Sequence, residues 1–128
     1  MLLMLMLAEL AIQPQEKADV HRTTAILARC VQAQIGELDD GLSEARTIAR
    51  AAATSCPKER EALRLSWKRA IDDLAGKAAE TDGEMASEEA RQAQLDRTMR
   101  QFDASLLENG TRWVLQKREM AKEAAPPQ

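Results

Sequence analysis

Two cysteines, one histidine and three pairs of neighbouring acids are the side chains in this 128-residue sequence that could do chemistry. Cys30 and Cys56 are 26 positions apart. On one continuous helix that spacing corresponds to ~39 Å, far beyond disulfide reach. The spacing therefore predicts two free thiols in a reducing compartment, with Cys30 near a core and Cys56 at a tip. Neither has partners at metal-ligand spacing. His21 has Asp19 nearby but no serine or cysteine beside it, which argues against nucleophilic triad chemistry. Asp39-Asp40 and Asp72-Asp73 are adjacent, and adjacent side chains on a helix diverge by roughly 100°, so neither pair reads as an acid/base couple. Glu88-Glu89 lacks the Glu-x-x-His of a di-iron site. There is no glycine-rich phosphate loop and no Cys-x-x-Cys. The expectation is a non-enzymatic protein with no catalytic residue, no metal, no cofactor and no small-molecule substrate.

The elements that must carry these residues are helices. Apolar residues are 45% of the chain, but 23 of the 128 are alanine, with one Phe, two Trp and no Tyr. Sheets want β-branched and aromatic residues that this composition does not offer. Charged residues reach 30% with both signs mixed, a pattern of long helices in coiled coils or thin bundles. From Val20 through Thr24, Leu27, Val31, Ile35, Leu38, Leu42, Ala45, Ala49 and Ala52 the apolar positions step by three or four. This predicts a first helix over about 4–54, with a break at 13–15 left open. Gly36 and Gly41 lie inside the series, and a turn at Leu38-Asp39-Asp40-Gly41 is the alternative.

The clearest interruption is Thr54-Ser55-Cys56-Pro57. Pro57 suits the first turn of a new helix, Thr54 or Ser55 offers a capping oxygen, and Glu59 and Glu61 complement the helix start. A turn is placed at 54–57 and a second helix at about 58–124, followed by a tail at 125–128. In the second helix Met85, Gln92, Met99, Leu106, Trp113 and Met120 recur every seven residues. Thr81, Glu88, Leu95, Phe102, Asn109 and Gln116 fall between them, a heptad pattern of coiled-coil length. The fold class predicted is all-α, a single domain over 1–124 built as a long antiparallel two-helix coiled-coil hairpin. Folding at 55–56 pairs Leu38 with Leu74, Val31 with Thr81 and Leu27 with Met85, and leaves 111–124 unpartnered. Two helices alone would leave Leu63, Leu65, Trp67 and Ile71 partly uncovered, as well as Leu106, Leu107, Val114 and Leu115. A second copy or another protein would then cover them.

The net charge is −3, and neither half has the basic excess a phosphate backbone demands, so nucleic acid is not an expected partner. The opening Met1-to-Ile12 stretch is strongly apolar but too short to cross a bilayer and has no early base. It reads first as a packing or partner surface, with peripheral membrane contact and an unusual targeting signal as alternatives. The location expected is cytoplasmic, extending to the inner face of the membrane.

A hairpin of this length with a mid-chain Ser55-Cys56-Pro57 turn resembles the central stalk proteins of type III secretion and flagellar export, whose hairpin is similar to the shaft of rotary ATPases. The resemblance is one of shape over residues 1–124 and transfers no individual residue. It implies an accessory protein that couples a hexameric export ATPase to the membrane export gate, with secretion chaperones as further partners. The competing readings are a small helical secretion chaperone and a structural or assembly coiled coil, either of which could be a homo-oligomer. The residues expected to bind a partner are Trp113, Val114, Leu115, Arg118 and Met120, an apolar group flanked by bases in the unpartnered segment.

Overall fold

The computed structural model describes residues 14–79 and 87–124, which form four helices. They are α1 (Pro14–Leu38), α2 (Ala45–Thr54), α3 (Pro57–Ala79) and α4 (Glu88–Ala124). The apolar opening 1–12, the heptad positions Thr81 and Met85 and the tail 125–128 lie outside the described residues. Pro14 occupies the first turn of α1, where its missing N–H breaks no hydrogen bond. The inward face of α1 carries Thr23, Leu27, Val31 and Ile35, all buried.

The first helix does not continue to residue 54. Gly41 adopts φ 72°, in the left-handed region that L side chains avoid. Its N–H donates to Asp39 Oδ1 at 3.0 Å. Asp40 Oδ1 accepts the N–H groups of Leu42 and Ser43 at 2.9 and 2.7 Å, and Asp40 Oδ2 accepts the Ser43 hydroxyl at 2.6 Å. Carboxylates that bond backbone N–H groups two and three residues on give the chain a local alternative to the helix. The four acceptor bonds and the positive φ turn it between α1 and α2.

Three pairs of contacts set the register. Thr23 of α1 donates to Ser66 Oγ of α3 at 3.2 Å, and Glu16 faces Asp73, so α1 and α3 run antiparallel. Arg60 pairs with Asp103 and Asp72 with Arg91, which makes α3 antiparallel to α4. Gly110 of α4 lies against Ala49 of α2, and Arg118 reaches the carbonyl of Ser43, so α2 is antiparallel to α4 as well. α2 and α3 therefore follow one another in the same direction along α4, with α1 returning beside them. The structure is a four-helix bundle, which overturns the two-helix coiled-coil hairpin expected from the heptads.

The 54–57 segment is a bend rather than a reversal. Ser55 N–H donates to the Ala52 carbonyl at 3.1 Å and Cys56 N–H to that of Ala53 at 3.4 Å. Arg60 N–H then donates to the Cys56 carbonyl at 3.1 Å, which starts α3. Pro57 has no N–H to continue the ladder, so the backbone kinks and resumes. In place of one helix over 58–124 there are two that run antiparallel, α3 and α4.

The core consists of Leu27, Val31 and Ile35 from α1, Leu63 and Ile71 from α3, and Leu95, Met99, Leu106 and Val114 from α4. In α4 the heptad gives way after Leu106. The buried positions proceed to Gly110 and Val114 rather than to Trp113. Steps of four keep the face of a straight helix toward its neighbours, whereas strict sevens would wind it into a supercoil. α2 contributes Ala45, Ile48, Ala49 and Ala52, and the missing Cβ of Gly110 lets α4 approach Ala49. A Cβ added there would stand 3.1 Å from the Ala49 Cβ.

Cys30 and Cys56 form a disulfide, with Cα atoms 6.2 Å apart. The expectation of two free thiols is overturned. Its ~39 Å separation held only for an unbroken helix, and the turn at 39–44 folds α2 back until Cys56 meets Cys30.

Candidate functional site

The segment singled out for partner binding lies on the last turns of α4, and its five residues divide between two roles. Val114 is fully buried, and Trp113 is half-buried against the core cluster. Arg118 faces the α1–α2 turn. Its Nη2 donates to Asp39 Oδ1 and to the Ser43 carbonyl, both at 2.7 Å, and its Nε donates to Asp39 Oδ1 at 3.2 Å. The Asp39 side chain is only 8% exposed. The Arg118 hydrogen bond, followed by that from the Gly41 N–H, holds its carboxyl below the usual carboxylate range, while Arg118 itself is raised. The hairpin register that left 111–124 without an intramolecular neighbour does not hold, because the α1–α2 turn meets Arg118.

Leu115 and Met120 point outward, 52% and 69% exposed. They flank a shallow concavity completed by Arg112, Gln116, Glu119 and Glu123. Residues 119–124 are exposed throughout and lie beyond Arg118, the α4 residue level with the turn. The structure thus brings together Leu115 and Met120 on an outer face and assigns Trp113, Val114 and Arg118 to the interior or to its edge.

The other candidates occupy separate places. His21 is exposed on α1. Asp72 is paired with Lys68 and Arg91 across α3 and α4, and Asp73 with Lys77. Glu16, facing Asp73, has its carboxyl pushed up, first by burial and then by the Asp73 charge. Cys30, Cys56 and Glu59 offer ligand atoms within 4.8 Å of one another. The two sulfurs are bonded to each other, however, and Glu59 stands in the first turn of α3, where an acid is favoured by the helix N-terminus alone. With the disulfide closed, the cluster offers one carboxylate and no thiolate, which does not make a metal site.

The feature that sequence reasoning missed is the staple joining α1 to the α2–α3 bend. Its signal was present in Asp39-Asp40-Gly41-Leu42-Ser43, a turn sequence which, once accepted as a reversal, brings the two cysteines to the same height. No helix among the described residues is long and apolar enough to cross a membrane. No protein-family model, curated protein or solved structure matches the chain. The stalk resemblance rested on a hairpin shape that the bundle does not have. Fold and site together define a disulfide-stapled, all-α bundle with an apolar outer face on its last helix.

Proposed function

We propose that the chain is a non-enzymatic binding module and that its working surface is the outer face of α4 around Leu115 and Met120. The observation that carries this reading is the pairing of rigidity with exposure. The end of α4 is fixed from behind by buried Val114 and by the bidentate Arg118–Asp39 contact, yet it presents two large apolar side chains to solvent. A preorganised face of this kind loses little conformational entropy on binding. Of the classes considered, a small helical chaperone or assembly adaptor agrees better with a short bundle than a rotor shaft does. The closed disulfide favours work in an oxidising compartment over a reducing one.

The test is a comparison of wild type with Leu115→Ser/Met120→Ser, in which neither substituted residue is buried. Helicity and melting temperature should be unchanged within error, while the complexes that wild type forms in its native cells, trapped by cross-linking and identified by mass, should disappear. Persistence of the same cross-linked partners in the double variant would remove α4 from the binding surface.

A further inference from the structure

The bend between α2 and α3 has a consequence on the surface. Where the backbone kinks at Ser55-Cys56, the seam between α2 and α4 opens into a groove of about 250 Å³. Leu27, Ala53, Leu106 and Leu107 line it with apolar surface, and Arg50 and Arg60 stand at its rim. Arg60 is held there by Asp103, through Nε at 3.0 Å and Nη2 at 2.7 Å. Arg50 is exposed and makes no ion pair with another described residue.

The same chain carries a shape and charge that fit this groove. Leu42, at the tip of the α1–α2 turn, is 91% exposed, more than any other large apolar side chain described. It does not wander, because Asp40 accepts its N–H together with the N–H and hydroxyl of Ser43, and Gly41 closes the turn on Asp39. A single leucine held out on a fixed loop is a preformed anchor. Its surroundings are acidic: Glu37, Asp40 and Glu44 are exposed, and residues 37–44 contain no base.

We propose that Leu42 of one molecule inserts into the α2–α4 groove of a second copy, with Asp40 and Glu44 facing Arg50 and Arg60 of that copy. Leu42 cannot fill the groove of its own chain. The turn is level with Arg118 on α4 and the groove with Leu106 and Leu107, a separation of ~17 Å along the helix. A two-fold axis crossing the bundle midway between these levels exchanges the two heights, so in the proposed assembly both contacts form together and it closes as a dimer. This surface is distinct from the Leu115–Met120 face and does not depend on it.

Sedimentation equilibrium of the full chain with its disulfide intact tests the proposal. The weight-average mass of wild type should rise with concentration from 14.2 kDa toward twice that value. Leu42→Ala removes a buried leucine from each of the two contacts, and at roughly tenfold to a hundredfold apiece should weaken association about a hundredfold or more, without changing the melting of dilute protein. Arg50→Glu should weaken it too, since it sets acid against acid. The contact itself is read by mixing Leu42→Cys protein with Leu107→Cys protein under mild oxidation. The mixture should give a covalent heterodimer in far greater yield than either variant alone. A wild type that stays at 14.2 kDa at every concentration overturns the proposal. So does a dimer whose strength is indifferent to Leu42→Ala, or a mixture that gives no more cross-link than its components.

Discussion

Opening the Cys30–Cys56 bond should cost this bundle a large part of its stability, and the size of the loss follows from the chain length it closes. The two residues are separated by 26 positions. A loop of that length in the unfolded chain implies a stabilisation of about 3.5 kcal/mol at 25 °C on the chain-entropy model. For a chain of this size that loss lowers the melting temperature by roughly 10 °C. The bond ties the middle of α1 to the α2–α3 bend and joins no residue of α4 covalently. The native contacts of α4 should therefore survive reduction, and the change should reside mainly in the unfolded state. Two perturbations separate these effects. Reduction by a dithiol leaves both sulfurs in place, whereas Cys30→Ala/Cys56→Ala also removes volume at the fully buried Cys56 and should lose somewhat more. Urea melts followed by circular dichroism should show a lower midpoint together with a steeper slope, because a chain without its cross-link exposes more surface when it unfolds. Thiol titration of freshly purified, denatured protein without reductant should find no free thiol. Two free thiols per chain, or a midpoint unmoved by reduction, would refute the staple and with it the reversal at 39–44.

Further perturbations probe the helix packing and the turn between α1 and α2. At Gly76 an added Cβ meets nothing within 4 Å, so Gly76→Ala should stabilise α3 by about 0.5–1 kcal/mol. Gly110→Ala gains the same propensity but presses a rigid Cβ to 3.1 Å from Ala49, and overpacking typically costs ~1–3 kcal/mol. Chemical melts should therefore place it at or below wild type, and an equal gain for both would mean that α2 and α4 are not in close contact. Arg118→Ala and Asp39→Ala should lower the melting temperature by similar amounts, and the double variant should lose little more than either one, as a coupled pair requires. Asp39 and Asp40 both titrate below the ordinary carboxylate range, Asp40 at about 2. Their contribution is thus complete above the unfolded carboxylate value and fades as pH falls from ~4 through their folded values. Acid melts should steepen over that window in wild type and flatten in Asp39→Ala. Glu16 has the opposite sign, since its carboxyl is raised, so stability from that site declines as pH climbs above the ordinary glutamate value of 4.5.

What the sequence made legible was local. The steps of four through Leu27, Val31 and Ile35 are the buried face of α1, and Pro57 does start a helix. Leu95, Met99 and Leu106 are buried as their spacing implies. Leu42 was misleading, because it falls in phase with the apolar series yet stands in solvent on a turn. A run of correct steps across an Asp-Asp-Gly turn is a coincidence of period, and the hydrogen bonds of Asp39 and Asp40 decide the conformation there. The alanines of α2 gave no hint of a core because their burial requires a partner as small as Gly110, 61 positions away. Of the five proposed contact residues, Leu115 and Met120 were legible as apolar and are exposed. The inward turn of Val114 depends on α4 staying straight where a coiled coil would wind.

The larger error was one of direction, and its cause lies in two interruptions that look alike along the chain. Both 39–44 and 54–57 break the backbone ladder, and each carries a recognised stop or start residue, Gly41 in one and Pro57 in the other. Helix chemistry says that the ladder breaks there and is silent on whether the chain reverses or resumes. That choice belongs to tertiary contacts. Reversal at 54–57 leaves Cys30 and Cys56 at distant heights on one rod, and it pairs Ile35 and Leu38 with about 73–76 in the second helix. Reversal at 39–44 places Cys30 against Cys56, Thr23 against Ser66 and Asp39 under Arg118. Of these, the cysteine pair is the one constraint visible without coordinates. Read as a requirement rather than as two separate thiols, it excludes an unbroken first helix and leaves the Asp-Asp-Gly turn as the place for the chain to reverse.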